Sequence, residues 1–229
     1  MRKGTDVFRI NFSHADYADV KRKIETIHQL NNDHGYNTAI LADLQGPKLR
    51  IGKMEHEDFI INPGDILTFT NEDVVGTKEK VFMTYKKFAQ DVQVGENILI
   101  DDGKLIFKVI ETNGTDTVKA ETIQGGPLRS KKGVNLPNTN ISLPALTEKD
   151  KEDAKFAIEN RVDWFALSFV RSGQDVKDLS EFIKENGTLK IPIISKIEKP
   201  EALENIDDIL EFSDGLMVAR GDLGVEVPF

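Results

Sequence analysis

The strongest constraint on the fold of this 229-residue chain is a gap in its helical pattern. From about Pro47 to Pro144 the 3.6-residue apolar period nearly vanishes, while on both sides of that stretch apolar strands and amphipathic helices alternate. Upstream, Asp6–His14 (DVFRINFSH) alternates strictly, with Phe8, Ile10 and Phe12 on one face and Arg9, Asn11 and Ser13 on the other. Val20, Ile24, Ile27 and Leu30 then predict a helix over about 15–31, and NTAILADL (Asn37–Leu44) reads as an apolar strand. Downstream, Thr147-x-x-Asp150 and Ser172-x-x-Asp175 have capping-box spacing and predict helices over 147–161 and 172–186. Strands are expected over Val162–Val170, over 190–198 and over Gly215–Arg220, with a helix opened by Pro200.

Within the gap, short strands are separated by Pro63-Gly64, Asp102-Gly103 and Asn113-Gly114, which are turn dipeptides. The organisation expected is therefore an α/β domain in two parts, 1–46 and 145–229, around an inserted antiparallel β-domain at 47–144. The β/α rhythm suits a (β/α)8 barrel or an open doubly wound sheet. Polar residues at the C-terminal ends of the strands favour the barrel, whose active sites sit there. Five strands do not close an eight-stranded barrel, so either the sheet is open or the chain is part of a longer one.

Composition removes several function classes. A formal net charge of −9 repels a phosphate backbone, so nucleic acid is not an expected partner. With no cysteine there is no disulfide framework and no thiolate metal site. No apolar run approaches the roughly 20 residues of a membrane span, no membrane association is expected, and the N-terminus lacks a secretory pattern, so a cytoplasmic location is expected.

The chemistry is concentrated where the strands end. In IPIISKIEKPEAL (Ile191–Leu203) an apolar strand ends in Lys196 and Glu198, which project from one face about 7 Å apart. Burying either charge alone costs several kcal/mol, on the order of 3–5, so each needs a partner or a ligand. One answer is a structural ion pair between them. The other is a site: Asp222, in the adjacent VARGDLGVEVP, adds a second carboxylate beside Gly221 and Gly224, which is the oxygen-rich environment that Mg²⁺ requires, although RGDLG by itself also reads as a plain turn. On the first strand Arg9 offers a fork for a phosphate, and the oxygens of Asn11, Ser13 and Asp43 suit a cation or a ligand-free polar network.

These segments carry a resemblance. FRINFSH, DLQGPKLRIG, KKGVNLP, SKIEKPEALENIDDIL and DGLMVARGDLGVEVP are similar to the successive signatures of the pyruvate kinase family, in the family's order and over essentially the whole chain. The resemblance implies a partial TIM-type barrel with an inserted β lid, and phosphoryl transfer from phosphoenolpyruvate to ADP, giving pyruvate and ATP. It implies that Glu198 and Asp222 hold Mg²⁺ or Mn²⁺. Lys196 would stabilise the transferring phosphoryl group, Arg9 would grip the same phosphate, and the backbone N–H groups around Gly221 and Asp222 would receive the substrate carboxylate. His14, Arg50 and the lid residue Lys132 are implied as nucleotide contacts, against the alternative that each is an ordinary surface residue.

Many family members need K⁺, held by residues matching Asn11, Ser13, Asp43 and the carbonyl of Leu44, and carry Glu where this chain has Lys48. Leu44, Gln45, Lys48 and Ile51 together resemble the K⁺-independent branch. The lysine ammonium would replace the charge that K⁺ brings, so K⁺ is not an expected cofactor; the alternative is a solvated hinge residue.

The family's barrel normally has a further strand before this segment, two more after it and then a C-terminal domain, and its full-length members are usually homotetramers. The chain therefore reads as a central part of such an enzyme, expected to have little or no turnover alone. Two other readings remain at this point. A metal-dependent aldolase acting on pyruvate-like enolates would have no need of the β-domain with KKGVNLP. A non-catalytic module would bind phosphoenolpyruvate without transferring its phosphate.

Overall fold

The computed structural model describes residues 1–227, with His14 described by its backbone alone. The chain opens with β1 (Val7–Asn11), a 3-10 turn (Phe12–His14), α1 (Tyr17–His34) and β2 (Ala39–Asp43). A strand-rich stretch follows: β3 (Phe59–Ile61), β4 (Ile66–Thr70), β5 (Lys80–Phe82), the short α2 (Phe88–Asp91), β6 (Asn97–Ile100), β7 (Leu105–Thr112), β8 (Thr117–Gln124), β9 (Gly126–Leu128) and β10 (Val134–Asn135). The β/α rhythm then returns with α3 (Glu148–Glu159), β11 (Trp164–Leu167), α4 (Gly173–Asn186), β12 (Ile193–Ile197), α5 (Pro200–Glu204), α6 (Ile206–Phe212), β13 (Gly215–Val218) and α7 (Arg220–Glu226).

Two compact units result. The first comprises Met1–Pro47 and Pro144–Arg220; the second comprises Lys48–Leu143 and the segment that starts at Gly221. In the first, five strands form one sheet in the order β1-β2-β11-β12-β13, with every pair parallel. The order follows the chain without reversing, so right-handed crossovers place the connecting helices on one side of the sheet. A doubly wound sheet would instead reverse at a switch point. The middle strands are the buried ones: Ile40, Ala42, Phe165, Ala166 and Leu167 have essentially no exposed surface, whereas Val7 and Val218 on the outermost strands stay exposed. Each fully buried large apolar side chain contributes about 1.5–3 kcal/mol.

Local signals set the helix limits. Asp16 accepts the Asp19 N–H at 2.9 Å to start α1, and Gly35 stops it in the left-handed region at φ 67°. The expected capping box forms at α3, where Thr147 and Asp150 exchange side-chain and backbone bonds, and Pro200 occupies the first turn of α5. The first strand is shorter than its alternation suggests. It ends at Asn11, because the Asn11 side chain accepts the Ser13 N–H at 2.9 Å and turns the chain into the 3-10 segment. Ser13 therefore does not lie on the strand face with Arg9 and Asn11, and Phe12 is buried in the turn.

In the second unit a six-stranded sheet, β10-β6-β7-β8-β4-β5, and a two-stranded sheet, β3-β9, enclose a core that includes Phe69, Phe88, Phe107 and Tyr85. The turn dipeptides act as read: Gly64, Asp102, Gly103 and Gly114 all have positive φ, and the Asn113 carboxamide oxygen accepts the N–H groups of Thr115, Asp116 and Thr117.

Candidate active site

Strand register decides which side chains meet in the α/β unit. Asn11 is opposite Asp43, Asp43 opposite Ala166, Ala166 opposite Ile194, and Lys196 opposite Met217. With a two-residue period, Arg9, Asn11, Asp43, Lys196 and Glu198 therefore belong to one face, at the C-terminal ends of parallel strands. The opposite parity of β12 is buried, with Ile193 and Ile197 packed in the core and the Ser195 hydroxyl between them bonded to that of Ser213 at 2.6 Å.

The charges form a chain of alternating sign. The Arg9 Nε donates to Asp43 Oδ2 at 2.6 Å, and its Nη2 reaches the same oxygen. Lys196 Nζ lies 3.3 Å from Asp43 Oδ1 and 2.9 Å from Glu198 Oε1. The other Glu198 oxygen accepts the Phe169 N–H at 2.8 Å. Asp43, Lys196 and Glu198 are buried, and each is flanked by an opposite charge or a donor, which is the condition under which burial is tolerated. Arg9 is the exposed end of the chain, its side chain half exposed with donors left over for an incoming anion.

Two sequence-predicted positions contribute through backbone or turn geometry. Leu44 donates its N–H to Ala166 O at 3.0 Å, and its carbonyl accepts the Ser168 hydroxyl at 2.7 Å. Asn11 spends its side-chain oxygen on the Ser13 N–H. His14 closes the 3-10 turn, and its side chain lies outside the described residues.

Several supporting groups had no signal in the sequence. Lys149 donates to Phe12 O at 3.0 Å and pairs with the buried Asp153, which also accepts the Tyr17 hydroxyl at 2.7 Å. Burial and the Asp153 carboxylate push the Tyr17 phenol up to about 12. Asp150, wholly buried, accepts the Gly46 N–H at 3.0 Å besides closing its own cap. The first turns of α3 therefore hold both the turn after β1 and the loop after β2. The capping spacing had revealed Thr147 and Asp150, but not this second bond.

The β-rich unit carries the remaining predicted residues. Asp222 lies in the first turn of α7 rather than in an open loop, and its carboxylate is 3.5 Å from Lys48 Nζ. A Cβ added at Gly221 would meet nothing within 4 Å, which leaves that backbone open to approach. Arg50 donates from its guanidinium to Lys131 O at 3.0 Å, and Lys132 pairs with Asp101 at 2.9 Å. The Lys132 bond holds the Asp101 carboxyl below its ordinary value; burial opposes this and Lys104 assists it. The two carboxylates expected to share a divalent ion, Glu198 and Asp222, belong to different units. Among the described residues no group of three or more metal-binding side chains gathers. A Mg²⁺ held by two carboxylates, with substrate and water completing its shell, does not need one. Glu198 Oε1 faces the Lys196 ammonium and Oε2 accepts the Phe169 N–H, and a carboxylate oxygen accepts more than one contact, so its chemistry suits such an ion.

Comparison with known proteins gives the family. Residues 1–229 match the family described as pyruvate kinase, barrel domain. The chain is 44% identical over 229 residues to the pyruvate kinase of Clostridium perfringens, covering all of this chain and 48% of that protein. It is 42% identical over 228 residues to the pyruvate kinase of Corynebacterium efficiens, again over 48% of the relative. It is 43% identical over 232 residues to that of Geobacillus stearothermophilus, covering 39% of it. The chain thus spans about half or less of the length of the curated relatives it matches. An alternating-charge site at the C-terminal ends of parallel strands, a β-rich second unit and similarity over the full length converge on one conclusion: this chain belongs to the pyruvate kinase family.

Proposed function

We propose that this chain supplies the phosphoenolpyruvate, metal and part of the nucleotide contacts of a pyruvate kinase, within a longer protein whose (β/α)8 barrel includes the five strands β1, β2, β11, β12 and β13 and whose lid is the β-rich unit. The observation that carries this reading is the alternating-charge chain Arg9, Asp43, Lys196, Glu198, buried at its last three members and exposed at Arg9, because phosphoryl transfer is mostly positioning and electrostatic stabilisation.

In the reaction, an oxygen of the ADP β-phosphate attacks the phosphorus of phosphoenolpyruvate. The bond from phosphorus to the enol oxygen breaks, ATP forms, and the released enolate takes a proton to give pyruvate. Arg9, exposed and already oriented by Asp43, grips the phosphate through its free guanidinium donors. Lys196, held between two carboxylates, presents positive charge to the moving phosphoryl group without reorganising. The N–H groups of Gly221 and Asp222 receive the substrate carboxylate. Glu198 and Asp222 are the residues that would hold Mg²⁺ or Mn²⁺, which when bound neutralises charge on the phosphoryl and enolate oxygens. His14, Arg50 and Lys132 serve the nucleotide phosphates. Asn11, Ser13, Asp43 and Leu44 form the monovalent-cation region, where Lys48 takes the place of K⁺.

The test is pyruvate formation from phosphoenolpyruvate and ADP with Mg²⁺ in K⁺-free buffer. It is run on this chain and on the longer protein encoded by its native gene. Turnover is expected in the longer form, and little or none in this chain alone. Silence in both forms, with phosphoenolpyruvate still bound, would replace the kinase reading with a non-catalytic one.

A further inference from the structure

Lys196 Nζ pairs with Glu198 Oε1 at 2.9 Å and lies 3.3 Å from Asp43 Oδ1, an ion pair without a hydrogen bond. It also donates to the Ser168 hydroxyl, with Nζ to Oγ at 2.8 Å. Ser168 is itself buried, 2% exposed, and its Oγ also lies 2.7 Å from the Leu44 carbonyl oxygen. The direction of this chain is fixed by chemistry. An ammonium only donates and a carbonyl only accepts, so the Ser168 proton points to Leu44 and an oxygen lone pair faces Lys196.

Backbone geometry shows why the hydroxyl reaches both partners. Gly46 has φ +67°, and a Cβ added there would lie 3.0 Å from Ser168 Cβ and 2.9 Å from the Phe169 ring. Only a glycine lets the loop after β2 come so close to the end of β11. Phe169, also in the left-handed region at φ 56°, thereby turns its N–H to Glu198 Oε2. A non-glycine residue held at positive φ is a feature that clusters at functional sites. Adjacent residues at the end of β11 thus serve both members of the charged pair, the Ser168 hydroxyl holding Lys196 and the Phe169 amide holding Glu198.

We infer that Ser168 is a positioning residue for phosphoryl transfer. It is a neutral acceptor that takes a hydrogen bond from the Lys196 ammonium and ties that ammonium to the Leu44 backbone, so that Lys196 is not drawn fully between Asp43 and Glu198. The inference rests on the kinase reading for its kinetic consequence, but not for its structural one.

The experiment compares wild type with Ser168→Ala in the full-length protein. The kcat of pyruvate formation is expected to fall about tenfold to a hundredfold, the scale of an ångström-sized misplacement, with the KM for phosphoenolpyruvate kept within about twofold. A merely structural role would lower the unfolding midpoint and leave kcat per folded enzyme unchanged, and that result would overturn the inference. A crystal structure of Ser168→Ala supplies the second measurement, in which the Lys196 ammonium is expected to shift by about 1 Å toward a carboxylate. An unmoved ammonium overturns the inference whatever the activity. If the wild-type protein transfers no phosphate, the kinase reading fails, and this displacement alone decides the role of Ser168.

Discussion

The two units use the same residue types in opposite ways. In the α/β unit the paired charges are buried: side-chain exposure is 3% at Asp43, 11% at Lys196 and 1% at Glu198. In the β-rich unit the corresponding pairs are in partial contact with water, 33% and 35% for Lys48 and Asp222, 32% and 18% for Lys132 and Asp101. A buried pair cannot exchange its partner for solvent, so its geometry is fixed before substrate arrives. A partly exposed pair is screened, contributes little, and can release a lysine to a phosphate at small cost.

The most severe way to break this contrast is Lys196→Met. It removes the buried ammonium between Glu198 and Asp43 and leaves Asp43 with Arg9 as its cation, which should cost about 3–5 kcal/mol in denaturant unfolding. In the longer protein the rate of pyruvate formation should fall by at least about a hundredfold, the usual scale for removing a preorganised electrostatic group. A stability loss under about 1 kcal/mol would mean that the buried network behaves like a surface pair.

Next in size is Lys48→Glu. If Lys48 supplies the positive charge that K⁺ otherwise brings, the rate in K⁺-free buffer should fall at least about tenfold, equivalent to about 1.4 kcal/mol in the barrier, and should return when K⁺ is added. An unchanged rate without K⁺ would leave Lys48 as a solvated residue near the start of the β-rich unit.

Lys132→Ala should barely affect stability, by about 0.2–1 kcal/mol, since its partner Asp101 is only partly shielded. In the full-length protein its effect should appear instead in the KM for ADP. A stability loss as large as that of Lys196→Met would erase the distinction between the units.

The smallest effect is one of pH. The Asp101 carboxyl titrates below its ordinary 3.8 because of Lys132, against burial and with help from Lys104. Its contribution is therefore complete above that ordinary value and is lost as pH falls through the depressed one. Stability from this pair should be flat between neutrality and about pH 5 and should decline only in stronger acid. Unfolding midpoints of wild type and Asp101→Asn should converge there, and a difference that persists unchanged to the lowest pH would contradict the assignment.

Much of the fold was legible because apolar periodicity and turn chemistry are local. The β/α rhythm, the helix-poor gap, the cap at Thr147 and the turns at Gly64, Gly103 and Gly114 all rest on residues within a few positions of one another. That Lys196 and Glu198 need partners was legible for a related reason, since charges at the end of an apolar strand are costly to bury unpaired. The end of β1 was misplaced because strict alternation continues through Ser13, while a single Asn11 side-chain bond turns the backbone after Asn11.

What the sequence alone determined, then, is which residues alternate, where the chain turns and which charges must be satisfied. How they are satisfied follows from contacts between distant parts of the chain. Ser168 lies in the apolar run ALSFV and meets Leu44 O across 124 positions of sequence. Asp150 reaches the Gly46 amide across 104. Neither contact has a local pattern to announce it. A hydroxyl or a backbone carbonyl acquires its role from the strand register and the close approach at Gly46, and both exist only once the sheet has formed.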